Sequence, residues 1–142
     1  MKLNYLIIFF VLLVVLAVYG YFKAVPINQT PLANRPQIII TPDSYNFGEI
    51  KYGQVVEYTF KVKNIGEQPL EISKVGASCS CTTAKVVKQS LPPNEETSLV
   101  VRYDSGAMGG FHGKGKQERI IYVRSNDPNH PQVEMMIFAN VK

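Results

Sequence analysis

Val56-Glu57-Tyr58-Thr59-Phe60-Lys61-Val62-Lys63 is the stretch that decides the fold. Apolar side chains at 56, 58, 60 and 62 alternate with polar or charged ones at 57, 59, 61 and 63. Successive side chains of an extended chain point to opposite faces, so this segment has one apolar and one charged face, as a half-buried strand requires. Moving outward, similar segments lie at 38–41, 45–50, 70–75, 83–87, 98–103, 119–124 and 133–141. Between them stand turn formers: Asn64-Ile65-Gly66-Glu67-Gln68-Pro69, Pro92-Pro93-Asn94 and Asn126-Asp127-Pro128. Gly and Asn tolerate left-handed backbone, and Pro withholds a ladder donor. No segment after Phe22 keeps a 3.6-residue period.

Many short strands divided by turns imply two sheets packed face to face. The expected fold is all-β, an immunoglobulin-like antiparallel β-sandwich of about 7–8 strands over residues 37–142. The two cysteines, Cys79 and Cys81, are too close in sequence for the inter-sheet disulfide of antibody domains, which excludes that type.

Ahead of the sandwich, Tyr5 to Phe22 carries no charge. As a helix it is about 27 Å long, close to the roughly 30 Å hydrocarbon core of a bilayer. The expectation is a single transmembrane helix within an N-terminal anchor over residues 1–23, with the membrane as partner through residues 5–22. A cleaved signal segment is the competing reading, but Ala17-Val18-Tyr19 lacks the small final residue that cleavage favours. Residues 24–36 hold Pro26, Pro31 and Pro36 and read as an extended stalk; Asn28-Gln29-Thr30 fits a glycosylation acceptor. The short basic N-terminus places the C-terminal domain outside the cytoplasm, in a periplasm or at a cell surface.

The formal charge of +4 does not mark a nucleic-acid surface. Residues 37–142 hold 12 Lys/Arg against 11 Asp/Glu, and no basic run is interleaved with aromatics.

Tyr45-Asn46-Phe47-Gly48-Glu49-Ile50, Gly53, Tyr58 to Gly66, Pro69-Leu70-Glu71-Ile72, Ser78-Cys79-Ser80-Cys81-Thr82 and Ser125-Asn126-Asp127 together resemble a widespread bacterial family. That family is a domain of unknown function, similar in fold to major-sperm-protein, PapD-like and ASPM/SPD-2/Hydin domains. The resemblance covers residues 40–142 and implies an immunoglobulin-like fold in an extracytoplasmic setting, with no reaction attached. Ser80 and Asn94 stand where the family usually has Gly, and Gly106 to Lys116 is longer and richer in glycine than usual.

Cys79-Ser80-Cys81 is the sharpest chemical feature. On a regular strand the two residues sit about 6–7 Å apart on one face, too far for a disulfide. A bend permits a local disulfide; otherwise they are buried thiols, a redox pair, or a two-thiolate site for a soft ion such as Cu(I). A helix-borne Cys-x-x-Cys is absent, and His112 and His130 show no recognised zinc spacing to the pair. The glycine-rich segment 106–116 lacks the residues of a phosphate loop and reads as a mobile loop, whose Met108, Phe111 and His112 are candidate partner contacts. Asp127 and His130 form a turn pair with no nucleophile beside them in sequence. The expected function is that of a non-catalytic, membrane-anchored binding or scaffolding module without a cofactor, whose partner is another envelope protein. The alternative is a small Cu(I) or thiol-redox carrier built on Cys79 and Cys81.

Overall fold

The structure, a computed structural model, describes residues 2–24, 34–109 and 113–142, apart from the side chains of 2, 3, 6 and 22–24. The chain divides into two compact units that meet between residues 31 and 32. The first contains helix α1, Lys2–Ala24. Its side chains from Ile7 to Leu16 are exposed all round. No helix among the described residues is long and apolar enough to cross a membrane. The transmembrane span expected over 5–22 is therefore not supported.

Among its described residues the second unit has nine strands: β1 Ile38–Thr41, β2 Ser44–Ile50, β3 Val55–Asn64, β4 Leu70–Ala77, β5 Thr82–Val86, β6 Ser90–Leu91, β7 Glu96–Asp104, β8 Gly115–Ser125 and β9 Gln132–Val141. They form a four-stranded sheet in the order β1-β3-β7-β5 and a five-stranded sheet in the order β2-β9-β8-β4-β6. The deciding stretch lies in β3, with Phe60 and Val62 fully buried, Val56 and Tyr58 half-buried, and Glu57, Thr59 and Lys61 exposed. From the facing sheet, Ile121, Val123, Met135 and Ile137 complete the core. Tyr45 of β2 stacks on Tyr58 of β3 at 3.5 Å between ring centroids, joining the two sheets at one side.

The structure departs from the sequence expectation in four places. Strand β6 is additional; it is two residues long and ends against Pro92, too short to show alternation. Strand β8 begins at Gly115, so the loop expected over 106–116 is shorter, and polar Lys116, Gln117 and Glu118 hid its start. Strand β2 runs parallel to β9, so the sandwich is not wholly antiparallel. The end of the expected stalk is docked, because Glu67 N donates to Arg35 O at 3.0 Å and Ile65 N to Gln37 O at 2.8 Å.

Two buried polar side chains tie the turns. Asn64 is completely buried, and its Nδ2 donates to Gln68 O at 2.8 Å and Leu91 O at 2.9 Å. Its Oδ1 accepts from Gly66 N at 2.9 Å and Gln37 N at 3.3 Å, so all four sites are used. Gly66 has no room for a side chain: a Cβ would lie 2.1 Å from Arg35 O and 2.5 Å from Gln37 N. At the turn between β8 and β9, buried Asp127 accepts from Ile38 N at 3.0 Å, Asn129 N at 2.8 Å and His130 N at 3.2 Å. Asn94 adopts φ 65°, so asparagine serves in a left-handed position.

Candidate functional site

At the end of β4 the chain leaves the five-stranded sheet for the four-stranded one. Ser78 is held to β8 by its own N–H, which donates to Ile120 O at 2.8 Å, and by its hydroxyl, which accepts from Ile120 N at 3.1 Å. The next three residues turn, and Thr82 N donates back to Cys79 O at 3.3 Å. This turn brings the Cα atoms of Cys79 and Cys81 to 5.2 Å, and the two are disulfide-bonded. The bend that permits a local disulfide is thus a loop between two sheets. A two-thiolate Cu(I) site on this pair would first need the bond reduced; among the described residues no group of three or more His, Cys, Asp or Glu side chains gathers around a common point.

The two sulfurs are not equivalent. Cys81 is 2% exposed and belongs to the core, whereas Cys79 is half-buried at its margin. The Thr82 hydroxyl lies 3.5 Å from Cys79 Sγ and 3.7 Å from Cys81 Sγ. From β8, Arg119 Nε donates to Cys81 Sγ at 3.1 Å. The same guanidinium donates to Glu118 O at 2.7 Å and to Gln117 Oε1, reaches Met108 Sδ at 3.6 Å, and lies 5.7 Å from the Tyr103 ring centroid. Arg119 is therefore fixed on several sides with one N–H aimed at a sulfur. Burial raises the Tyr103 phenol above its ordinary pKa; the Arg119 charge opposes this and the Asp104 charge adds to it.

Beyond the disulfide runs the open edge of the four-stranded sheet. Asp104 N donates to Cys81 O and Val87 N to Ser98 O, which fixes the parity of the β5–β7 ladder. Residues 81, 83, 85 and 87 thus turn their peptide groups toward β7, while those of Ala84 and Val86 point outward from the edge. Just past β5, Val87 is 76% exposed, the most exposed large hydrophobic residue described in the second unit.

Of the residues singled out in the sequence, Cys79, Cys81 and Met108 come together here, and Phe111 and His112 lie outside the described residues. His130 is elsewhere, its Nδ1 3.6 Å from Asp127 Oδ2 at the turn before β9. Arg119 joins the site from outside the motif, and nothing in its local sequence points to a cysteine 38 residues away. Thr82 carried a signal, as the last member of the Ser-Cys-x-Cys-Thr motif.

Residues 38–141 match the family described as a protein of unknown function (DUF1573). The chain belongs to the DUF1573 family. No functionally curated protein matches it. Among solved structures, this DUF1573 chain is similar to a protein of unknown function from Porphyromonas gingivalis, at TM-score 0.68 and 19% identity over 81% of this chain and 51% of that one. It thus spans about half the length of that protein. It is also similar to an ASH/PapD-like domain of human CEP192, at TM-score 0.59 and 10% identity over 83% of this chain and 92% of that domain. A third similar structure is the YadV chaperone, at TM-score 0.55 and 14% identity over 74% of this chain and 52% of that one. At these identities the likeness establishes the DUF1573 sandwich as an immunoglobulin-like, PapD-like fold.

Proposed function

We propose that this chain is a non-catalytic extracytoplasmic binding module that takes an extended segment of another envelope protein as an added strand along β5. The observation that carries this reading is the outward row of peptide groups at Ala84 and Val86, ending beside exposed Val87. A sheet edge of this kind is a template for a further strand: main-chain hydrogen bonds supply affinity, and side chains beside them supply selectivity. Lys85 within β5 and Lys88 just past it add charge along the edge and discourage self-pairing. The setting is supported by the disulfide, which persists in oxidising compartments. The apolar surface of α1 supports membrane association, since it needs a non-aqueous environment.

Proline tests the edge selectively. The N–H of Ala84 is not used in the β5–β7 ladder, so Ala84→Pro removes a donor that only an incoming strand would use. The expected result is a melting temperature within a few degrees of wild type, with crosslinked partner recovered from the host's own membranes reduced at least about tenfold, the loss of roughly 1.4 kcal/mol or more of binding. Undiminished recovery by a folded Ala84→Pro protein would sink the strand-addition reading.

A further inference from the structure

We infer that the Cys79–Cys81 disulfide is a thiol-exchange site at which a dithiol reductant attacks Cys79 and Arg119 receives the charge that forms on Cys81. This goes beyond the binding role, which uses the β5 edge and needs no change at sulfur.

The inference rests on the asymmetry of the pair. An incoming thiolate must reach a sulfur along the S–S axis; Cys79 stands at the margin of the fold, whereas Cys81 is closed in by the core. Exchange also depends on the leaving sulfur, which departs faster when its thiolate is stabilised. Arg119 Nε already donates to Cys81 Sγ at 3.1 Å, and Gln117, the Glu118 carbonyl and the Tyr103 ring hold the guanidinium there. A permanent cation fixed beside a neutral disulfide gains most when that sulfur becomes an anion, which is electrostatic preorganisation for the reduced product. The Thr82 hydroxyl, 3.5 Å from Cys79 Sγ, is a second donor beside the attacked atom.

In the first step the thiolate of a dithiol protein, or of glutathione, forms a bond to Cys79 Sγ. The electron pair of the S–S bond leaves on Cys81 Sγ, giving a mixed disulfide at Cys79 and a Cys81 thiolate hydrogen-bonded to Arg119. In the second step another thiolate of the reductant attacks its own sulfur in the mixed disulfide. Cys79 leaves as a thiolate and is protonated by solvent, and the reductant departs as a disulfide. Two electrons pass to the chain, and Cys81 takes a proton from solvent in proportion to its pKa.

The full chain in detergent is exposed to excess reduced glutathione without denaturant, quenched with iodoacetamide and mapped by mass spectrometry. The expected product carries glutathione on Cys79 and the alkyl group on Cys81. In a glutathione redox buffer, Arg119→Gln is expected to move the equilibrium about tenfold toward the disulfide, a change of about 30 mV for this two-electron couple, while Arg119→Lys recovers part of it. A native chain that resists glutathione while the urea-unfolded chain is reduced would overturn the proposal. So would an adduct on Cys81 alone, or a folded Arg119→Gln protein whose equilibrium does not move. Should Arg119→Gln fail to fold, adduct mapping on the wild-type chain decides the matter alone.

Discussion

Asn64→Ala is expected to lower the stability of the sandwich by about 4 kcal/mol, the largest loss predicted for a single side chain here. The side chain is completely buried and connects four backbone groups: Gln37 N–H, Gly66 N–H, Gln68 C=O and Leu91 C=O. Alanine leaves all four without their partner, in a void the size of about one water. Each unsatisfied buried group costs about 1–3 kcal/mol, with part recovered by relaxation at the more open end near Gln37. The loss spans three separate parts of the chain, since Asn64 ends β3 and fastens both the approach to β1 and the end of β6. Urea unfolding should show an earlier midpoint with an unchanged slope. A loss below about 1 kcal/mol would mean that these turns hold their shape without Asn64.

Asp127→Ala is expected to cost about 3 kcal/mol for a related reason, with a pH signature that Asn64 lacks. Burial disfavours the Asp127 carboxylate, but the N–H groups of Ile38, Asn129 and His130 and the nearby His130 charge act the other way, and the net effect holds its pKa below the ordinary value. A group whose folded-state pKa is depressed contributes stability above its unfolded pKa, about 3.9, and loses it as pH falls from there through the lower folded-state value. The wild-type urea midpoint should therefore fall as the pH is lowered through that window, and the Asp127→Ala midpoint should fall less. Equal acid sensitivity in both proteins would show that Asp127 is not the group responsible. The same carboxylate joins the β8–β9 turn to the first residue of β1, so its loss also loosens an edge strand.

The sandwich was legible because its signals are local. Alternation at Val56 to Lys63 survives in β3 residue by residue, and the Asn-x-Gly and Ser-Asn-Asp motifs turn out to be backbone clamps. What escaped was non-local or too short to carry a period. Strand β6 has two residues, and the parallel β2–β9 pair leaves no trace in either strand's own pattern. The end of the stalk docks through main-chain atoms of Arg35 and Gln37, which any residue could supply. At the candidate site, the cysteine spacing showed only that a regular strand could not bridge the pair. The turn that brings them together depends on β4 and β5 belonging to different sheets, a tertiary fact. Arg119 is further removed still, since it reaches Cys81 from β8, 38 residues along the chain.

The most direct test of the binding role is site-specific photocrosslinking of the full chain in its native membranes. One protein carries a photoreactive aromatic residue at Val87, beside the open β5 edge; a control carries it at Ile39, exposed on the opposite edge strand β1 of the same sheet. The account predicts a discrete protein adduct from position 87 that is absent from position 39 and lost when Ala84→Pro is added. Adducts of equal yield from both positions, or an adduct at 87 that survives Ala84→Pro, would contradict it.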